Sequence, residues 1–138
     1  MAHGEYVAVE HLEGVFGKNK FVGQLFVYGD STQPTLVGIL VPDADALNFW
    51  AKENKVEGSF KELCENEKVK KMLLDELNAT GKAAKLLGYE LIKGLHVESE
   101  AFSVENDLLT PTFKLKRPQA KEKYNQIIAK LYAEMPQQ

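Results

Sequence analysis

Leu108-Leu109-Thr110-Pro111-Thr112-Phe113-Lys114-Leu115-Lys116-Arg117-Pro118 lies near the C-terminal end of a chain of 138 residues. As an extended segment it alternates its side chains between two faces. Phe113 and Leu115 then turn into apolar packing and are expected to be far more buried than Lys114 and Lys116, which turn to solvent. Pro118 fixes φ and lacks an N–H, so it suits the first position of a following helix. The segment therefore mounts an ammonium at the mouth of a structured element. An isolated Lys-x-Lys-Arg is ordinarily a solvated basic face. The flanking Leu-Leu-Thr-Pro-Thr and Arg-Pro set this one apart.

The charge around the segment is uneven. From Pro111 to Lys130 six Lys or Arg residues (114, 116, 117, 121, 123 and 130) stand against Glu122 alone, whereas residues 1–60 carry eight Asp or Glu against four Lys. A local positive field would suit a phosphate-bearing substrate, and a solvated helix face accounts for it equally well. The overall charge of −3 gives no reason to expect nucleic acid or an anionic membrane as a partner. The length fits one domain with a single core, short for an enzyme that uses ATP by itself. Cys64 is the sole cysteine, which rules out an intrachain disulfide and points to an intracellular, reducing compartment. Its neighbours Glu62, Glu65 and Glu67 would raise a thiol pKa, so it reads as structural. His3, His11 and His96 are too scattered for a metal site. No apolar run reaches the roughly 20 residues that span a bilayer, and no signal peptide is visible. Met1-Ala2-His3 reads as a non-native start.

Working back along the chain, Val9, Leu12, Val15 and Phe16 recur at helical spacing and predict a short helix over 9–16, entered from a strand over 4–8. Gly14-Val15-Phe16-Gly17-Lys18-Asn19 fails as a P-loop, since its glycines are too close and no Ser or Thr follows the lysine. Residues 21–28 and 35–41 are β-rich runs joined by a six-residue turn, which predicts an antiparallel pair. Both runs are apolar at nearly every position, so helices should cover both sheet faces. Asp43 or Asp45 caps a helix through about Glu53 that carries Leu47 and Trp50. A helical turn over 59–64 precedes a longer helix over 67–86, where Val69, Met72, Leu73, Leu77, Thr80 and Ala84 form one buried stripe. Gly88 would end that helix. Asn78-Ala79-Thr80 matches a glycosylation sequon, which its mid-helix position argues against. Residues 90–97 give a third strand, with His96 an ordinary strand residue, and 98–107 form a loop. From Pro118 a terminal helix carries Tyr124, Ile127, Ile128 and Leu131 on one face. The fold class is α+β, with about three main strands in a small, mostly antiparallel sheet covered by helices.

The 108–118 segment resembles the last core motif of the adenylate-forming enzymes, in the form Thr-Pro-Thr-(Leu/Phe)-Lys-x-Lys-Arg-Pro found in long-chain fatty acyl-CoA synthetases. Phe113 stands where the general motif has glycine. Gly4-Glu5-Tyr6-Val7-Ala8-Val9-Glu10-His11-Leu12-Glu13 resembles the motif that opens the C-terminal domain of the same family, with Val9 for a proline and His11 for a lysine. The resemblance runs from Gly4 to about Tyr132 and includes Phe102-Ser103-Val104-Glu105-Asn106. It implies a C-terminal, mobile lid domain over residues 4–138, working against an N-terminal domain that the chain lacks. It also implies a two-step ligase: a fatty acid and ATP, with Mg2+, give acyl-AMP and pyrophosphate, and CoA then takes the acyl group. By this register Lys114 is the catalytic lysine, while Gly4, Glu5 and Tyr6 border the pantetheine arm of CoA. ATP and Mg2+ would be bound mainly by the N-terminal domain, so the chain alone is expected to be inactive. Any membrane association would come through the missing part. A luciferase-like enzyme or a peptide-synthetase adenylation domain would share the fold and the lysine, although Phe113 and the Lys-Arg-Pro ending argue against them. A non-catalytic phosphate-binding or interaction module is the alternative from another class.

Overall fold

A computed structural model of the chain describes residues 8–135. Residues 4–7 of the expected strand over 4–8, with Gly4, Glu5 and Tyr6 among them, thus lie outside the described residues. Six helices and three strands follow in order: α1 (Val9–Phe16), β1 (Val22–Tyr28), β2 (Leu36–Pro42), α2 (Ala44–Glu53), α3 (Phe60–Glu65), α4 (Glu67–Ala83), β3 (Ile92–Val97), α5 (Arg117–Lys123) and α6 (Asn125–Ala133). Side-chain caps start three of the helices, that of Asp43 as the sequence predicts. Asp43 accepts from the Ala46 amide at 2.9 Å to cap α2, and Ser59 and Glu62 form a reciprocal capping box on α3. Asn66 Oδ1 takes the Lys68 and Val69 amides of α4 at 2.8 and 3.2 Å.

The sheet order is β1-β2-β3. β1 pairs antiparallel with β2 as expected, but β3 runs parallel to β2, so the sheet is mixed. The reason is topological: the connection from β2 to β3 carries α2, α3 and α4 across the sheet, and a crossover of that kind returns the chain parallel. β2 is buried at all seven positions. Its Leu36 and Leu40 enter one core with α1, α2, α3 and α4, while Val37, Ile39 and Val41 enter a second core with Phe102, Leu108, Tyr124, Ile128 and Leu131. Helices and loops therefore do cover both faces, which explains the near-continuous apolar runs. The C-terminal segment sits close on its face. A Cβ at Gly94 of β3 would lie 2.9 Å from Met135 Cε and 3.3 Å from Val37 Cγ1, so glycine is what lets the α6 end approach.

Three expectations about the helices change. α4 ends at Ala83, and Lys85 rather than Gly88 takes the left-handed turn after it, at φ 66°. Gly88 instead opens a 3-10 turn over Gly88–Glu90, ahead of β3. The buried stripe of α4 runs Val69, Leu73, Leu77 and Gly81, with Ala84 exposed, because the shortened helix leaves Ala84 beyond the last covered turn. The terminal helix is split at Tyr124, whose backbone at φ −100° and ψ 13° separates α5 from α6. Asn78, the residue of the formal sequon, faces the sheet. Its amide donates to the Ile92 carbonyl at 2.8 Å and its Oδ1 accepts from the Ile92 amide at 2.9 Å, pinning β3 to α4.

Candidate active site

The 108–118 segment is a tight hairpin rather than a continuous extended run. Leu109 and Leu115 form an isolated antiparallel bridge. The Lys116 amide donates to the Leu108 carbonyl at 2.8 Å, and the Thr110 amide to the Lys114 carbonyl at 2.8 Å. Across the tip the Phe113 amide donates to the Thr110 carbonyl at 2.8 Å. Phe113 then takes φ 65°, the left-handed residue that closes a three-residue hairpin loop. This conformation is why a glycine suits the position: a side chain with a Cβ is strained there.

The turn overturns the expected two-face alternation. Phe113 is 75% exposed, and Leu115 and Lys116 are both half-buried. Residues Pro111, Thr112, Phe113 and Lys114 are all exposed. The tip is nevertheless well tied. Thr110 Oγ1 accepts from the Lys114 amide at 3.1 Å and lies 3.1 Å from Thr112 Oγ1, so one hydroxyl braces both sides of the turn. Lys114 is exposed as expected, on a backbone held at both its amide and its carbonyl.

The positive field predicted around the segment is largely neutralised. Lys116 pairs with Asp107, Lys123 with Glu100 at 3.3 Å and Lys130 with Glu134 at 4.0 Å. Lys121 lies 5.7 Å from the ring centre of Tyr28. Arg117 makes a two-pronged contact with Glu13, at 2.5 Å from Nη2 to Oε1 and 3.1 Å from Nη1 to Oε2. Of these six cations, Lys114 alone has no carboxylate or aromatic partner among the described residues. An ammonium on a braced turn, with no ion pair among the described residues, can meet an incoming phosphate without first breaking one.

Sequence reasoning missed the supports of this hairpin. Glu13 Oε2 also accepts the Val27 amide at 2.8 Å, a donor on the open edge of β1. One carboxylate thus ties α1, β1 and the start of α5 together, and a 104-residue separation left no local signal for it. Gln24 bonds Phe102 in both directions, donating to its carbonyl at 2.9 Å and accepting its amide at 2.7 Å, which anchors the loop leading into the hairpin. Asp107 takes φ 65° just before Leu108 and holds Lys116 away from the tip. Cys64 is buried, and burial, reinforced by Glu98 and then Glu65, pushes its thiol up to about 11. That fits a structural cysteine. His96 sits 3.8 Å from Glu98, with burial drawing its pKa below the ordinary value. Among the described residues no group of three or more His, Cys, Asp or Glu is placed to hold a metal ion, and no helix is long and apolar enough to cross a membrane.

No family model matches the chain. Long chain acyl-CoA synthetase 2 of Arabidopsis thaliana is 47% identical over 135 residues, covering 97% of this chain and 20% of the relative. Long-chain-fatty-acid--CoA ligase 6 of Homo sapiens is 41% identical over 133 residues, covering 96% of this chain and 19% of the relative. Over nearly its whole length the chain is similar to long-chain acyl-CoA synthetases. It spans about a fifth of the length of these curated relatives. Within the acyl-CoA synthetases it matches the C-terminal domain of an adenylate-forming enzyme. The fold agrees. The adenylation domain of a carboxylic acid reductase from Segniliparus rugosus, solved with AMP and a co-purified carboxylic acid, superposes with a TM-score of 0.81 at 30% identity, covering 99% of this chain and 20% of that one.

Proposed function

We propose that this chain is the C-terminal lid of a fatty acid–CoA ligase, that residues 4–138 form the lid, and that Lys114 delivers the charge the first half-reaction needs. In that reaction a fatty acid carboxylate oxygen attacks the α-phosphorus of ATP. The new P–O bond forms as the bond to the β-phosphate oxygen breaks, and pyrophosphate leaves. Negative charge builds on the oxygens between the two reactants, and a preorganised cation there lowers the barrier. Lys114 supplies it when the lid closes on the larger domain. In the second half-reaction the CoA sulfur attacks the acyl carbonyl, the thiol proton is lost and AMP departs. Gly4, Glu5 and Tyr6 are the residues of this chain we assign to the pantetheine arm. Two faces used in turn require the lid to rotate between steps.

The single observation that carries the assignment is that Lys114, on a braced hairpin, has no ion-pair partner among the described residues while its neighbours Lys116 and Arg117 are paired. Mg2+ bound to ATP would neutralise phosphate charge. The described residues offer it no ligand cluster, and we route no step through it. Fatty acid, ATP and CoA are the substrates, the N-terminal domain is the partner, and an intracellular, reducing compartment suits the single buried Cys64. Mass spectrometry of the products that the full-length ligase forms from a panel of fatty acids, ATP and CoA tests the reading. Acyl-CoA and AMP are expected. Formation of neither acyl-AMP nor acyl-CoA from any chain length overturns it. The 138-residue chain by itself is expected to give no acyl-CoA above a blank without enzyme.

A further inference from the structure

Four non-glycine residues among the described ones take positive φ: Lys55, Lys85, Asp107 and Phe113. Lys55 and Lys85 close helix ends with long solvated side chains, and Asp107 is short and polar, a type that tolerates the left-handed region. Phe113 is the one that places a bulky ring there. The ring gains little in return within this domain, because the residue is 75% exposed. Nor can the tip relax to relieve the strain, since the amide of Phe113 and both backbone groups of Lys114 are held. A strained, exposed aromatic next to a poised lysine adds cost without benefit unless something outside the domain covers it.

We propose that Phe113 is a positioning residue: its ring docks into an apolar depression on the larger domain and thereby seats Lys114 for adenylation. This rests on the ligase reading above. The occupant of the ring's exposed face is that larger domain, because the relatives are about five times the length of this chain and the hairpin tip is the part of the lid that must meet it. An aromatic anchor flanking a charged group is a common arrangement at interface centres, where a few residues carry most of the energy. The ring is adjacent to Lys114 in sequence, so docking it limits where the ammonium can lie.

The assignment requires stability and activity to move independently. Phe113→Gly in the 138-residue chain removes the strained side chain, so its Tm should be unchanged or higher. In the full-length ligase the same change should slow adenylation, read by pyrophosphate exchange, by about tenfold or more. Thioester formation from preformed acyl-adenylate and CoA should stay near wild type. Phe113→Leu, which keeps apolar bulk, should stay within about threefold of wild type in adenylation. Adenylation unchanged in Phe113→Gly, a Tm lowered by several degrees, or Phe113→Leu as slow as Phe113→Gly each overturns the assignment. Lys114→Ala in the same assay separates the two levels. If it abolishes exchange while Phe113→Gly does not, the docking role alone fails. If it leaves exchange intact, the reading of the site fails and the docking role with it.

Discussion

Glu13 is the residue through which the first helix, the edge strand and the lysine hairpin are joined, and Glu13→Ala measures how much that junction contributes. The change removes the acceptor of the Val27 amide and the carboxylate that faces Arg117. Leaving a buried donor without its partner costs about 1–3 kcal/mol, and a hydrogen bond to a charged group is worth about 1.5–3 kcal/mol. The side chains of Glu13 and Arg117 retain 16% and 30% of their exposure, so water weakens the ionic part and the lower ends of these ranges apply. A total of about 2–3 kcal/mol follows. For 138 residues an unfolding entropy of about 2.1 cal/mol/K per residue converts this to a Tm lower by about 7–10 °C. Thermal unfolding by circular dichroism of Glu13→Ala, Arg117→Ala and the double variant reads both the loss and the coupling. A coupling of about 1 kcal/mol or more is expected for residues in one network. A Tm drop below about 2 °C, or strictly additive single effects, would refute the junction.

Gly94→Val should destabilise the chain by about 1–3 kcal/mol in urea unfolding, because its branches meet Met135, Val37 and Leu131 at a site already at contact distance; an unchanged midpoint would show that α6 can move away freely. The buried Cys64 thiol, raised to about 11 from an ordinary 9.0, disfavours ionisation in the fold. Its contribution is fully present below pH 9 and is lost as pH rises from 9 toward 11, so stability should fall across that window, and Cys64→Ala should flatten the fall. The same shift makes alkylation of the native chain by iodoacetamide at pH 8 at least about a hundredfold slower than that of a free thiol, and a native rate equal to the unfolded rate would remove the burial argument.

Periodicity and caps made much of the fold legible. The α1 pattern, the Asp43 cap and the unbroken apolar run of β2 each act locally or through burial on both faces, and each is where the sequence places it. The direction of β3 was not legible, since it depends on how α2, α3 and α4 cross the sheet. Lys85 displacing Gly88 as the turn after α4 shows tertiary packing overriding a glycine signal: Leu86 returns to donate its amide to Gly81 at 3.0 Å, and the helix stops early. The motif at 108–118 singled out Lys114 as a candidate and gave no sign of the segment's shape. Strand alternation fails at Phe113 because the Thr110 hydroxyl and carbonyl close a turn that period-two reasoning does not contain. Glu13 and Gln24 act across the chain, on Arg117 and Phe102, and nothing in their own neighbourhoods marks them.

The two half-reactions of the full-length ligase, measured separately in Lys114→Ala, test the central claim most directly. Adenylation, followed as pyrophosphate exchange, should fall by a factor of at least about a hundred, as expected for loss of a preorganised charged donor worth on the order of 3 kcal/mol. Preformed acyl-adenylate and CoA should still give thioester at a rate near wild type. Lys116→Ala, whose ammonium is already held by Asp107, is the register control and should cost little in either step. Adenylation lost in Lys116→Ala but kept in Lys114→Ala would move the catalytic position by two residues, and full activity in both variants would contradict the account.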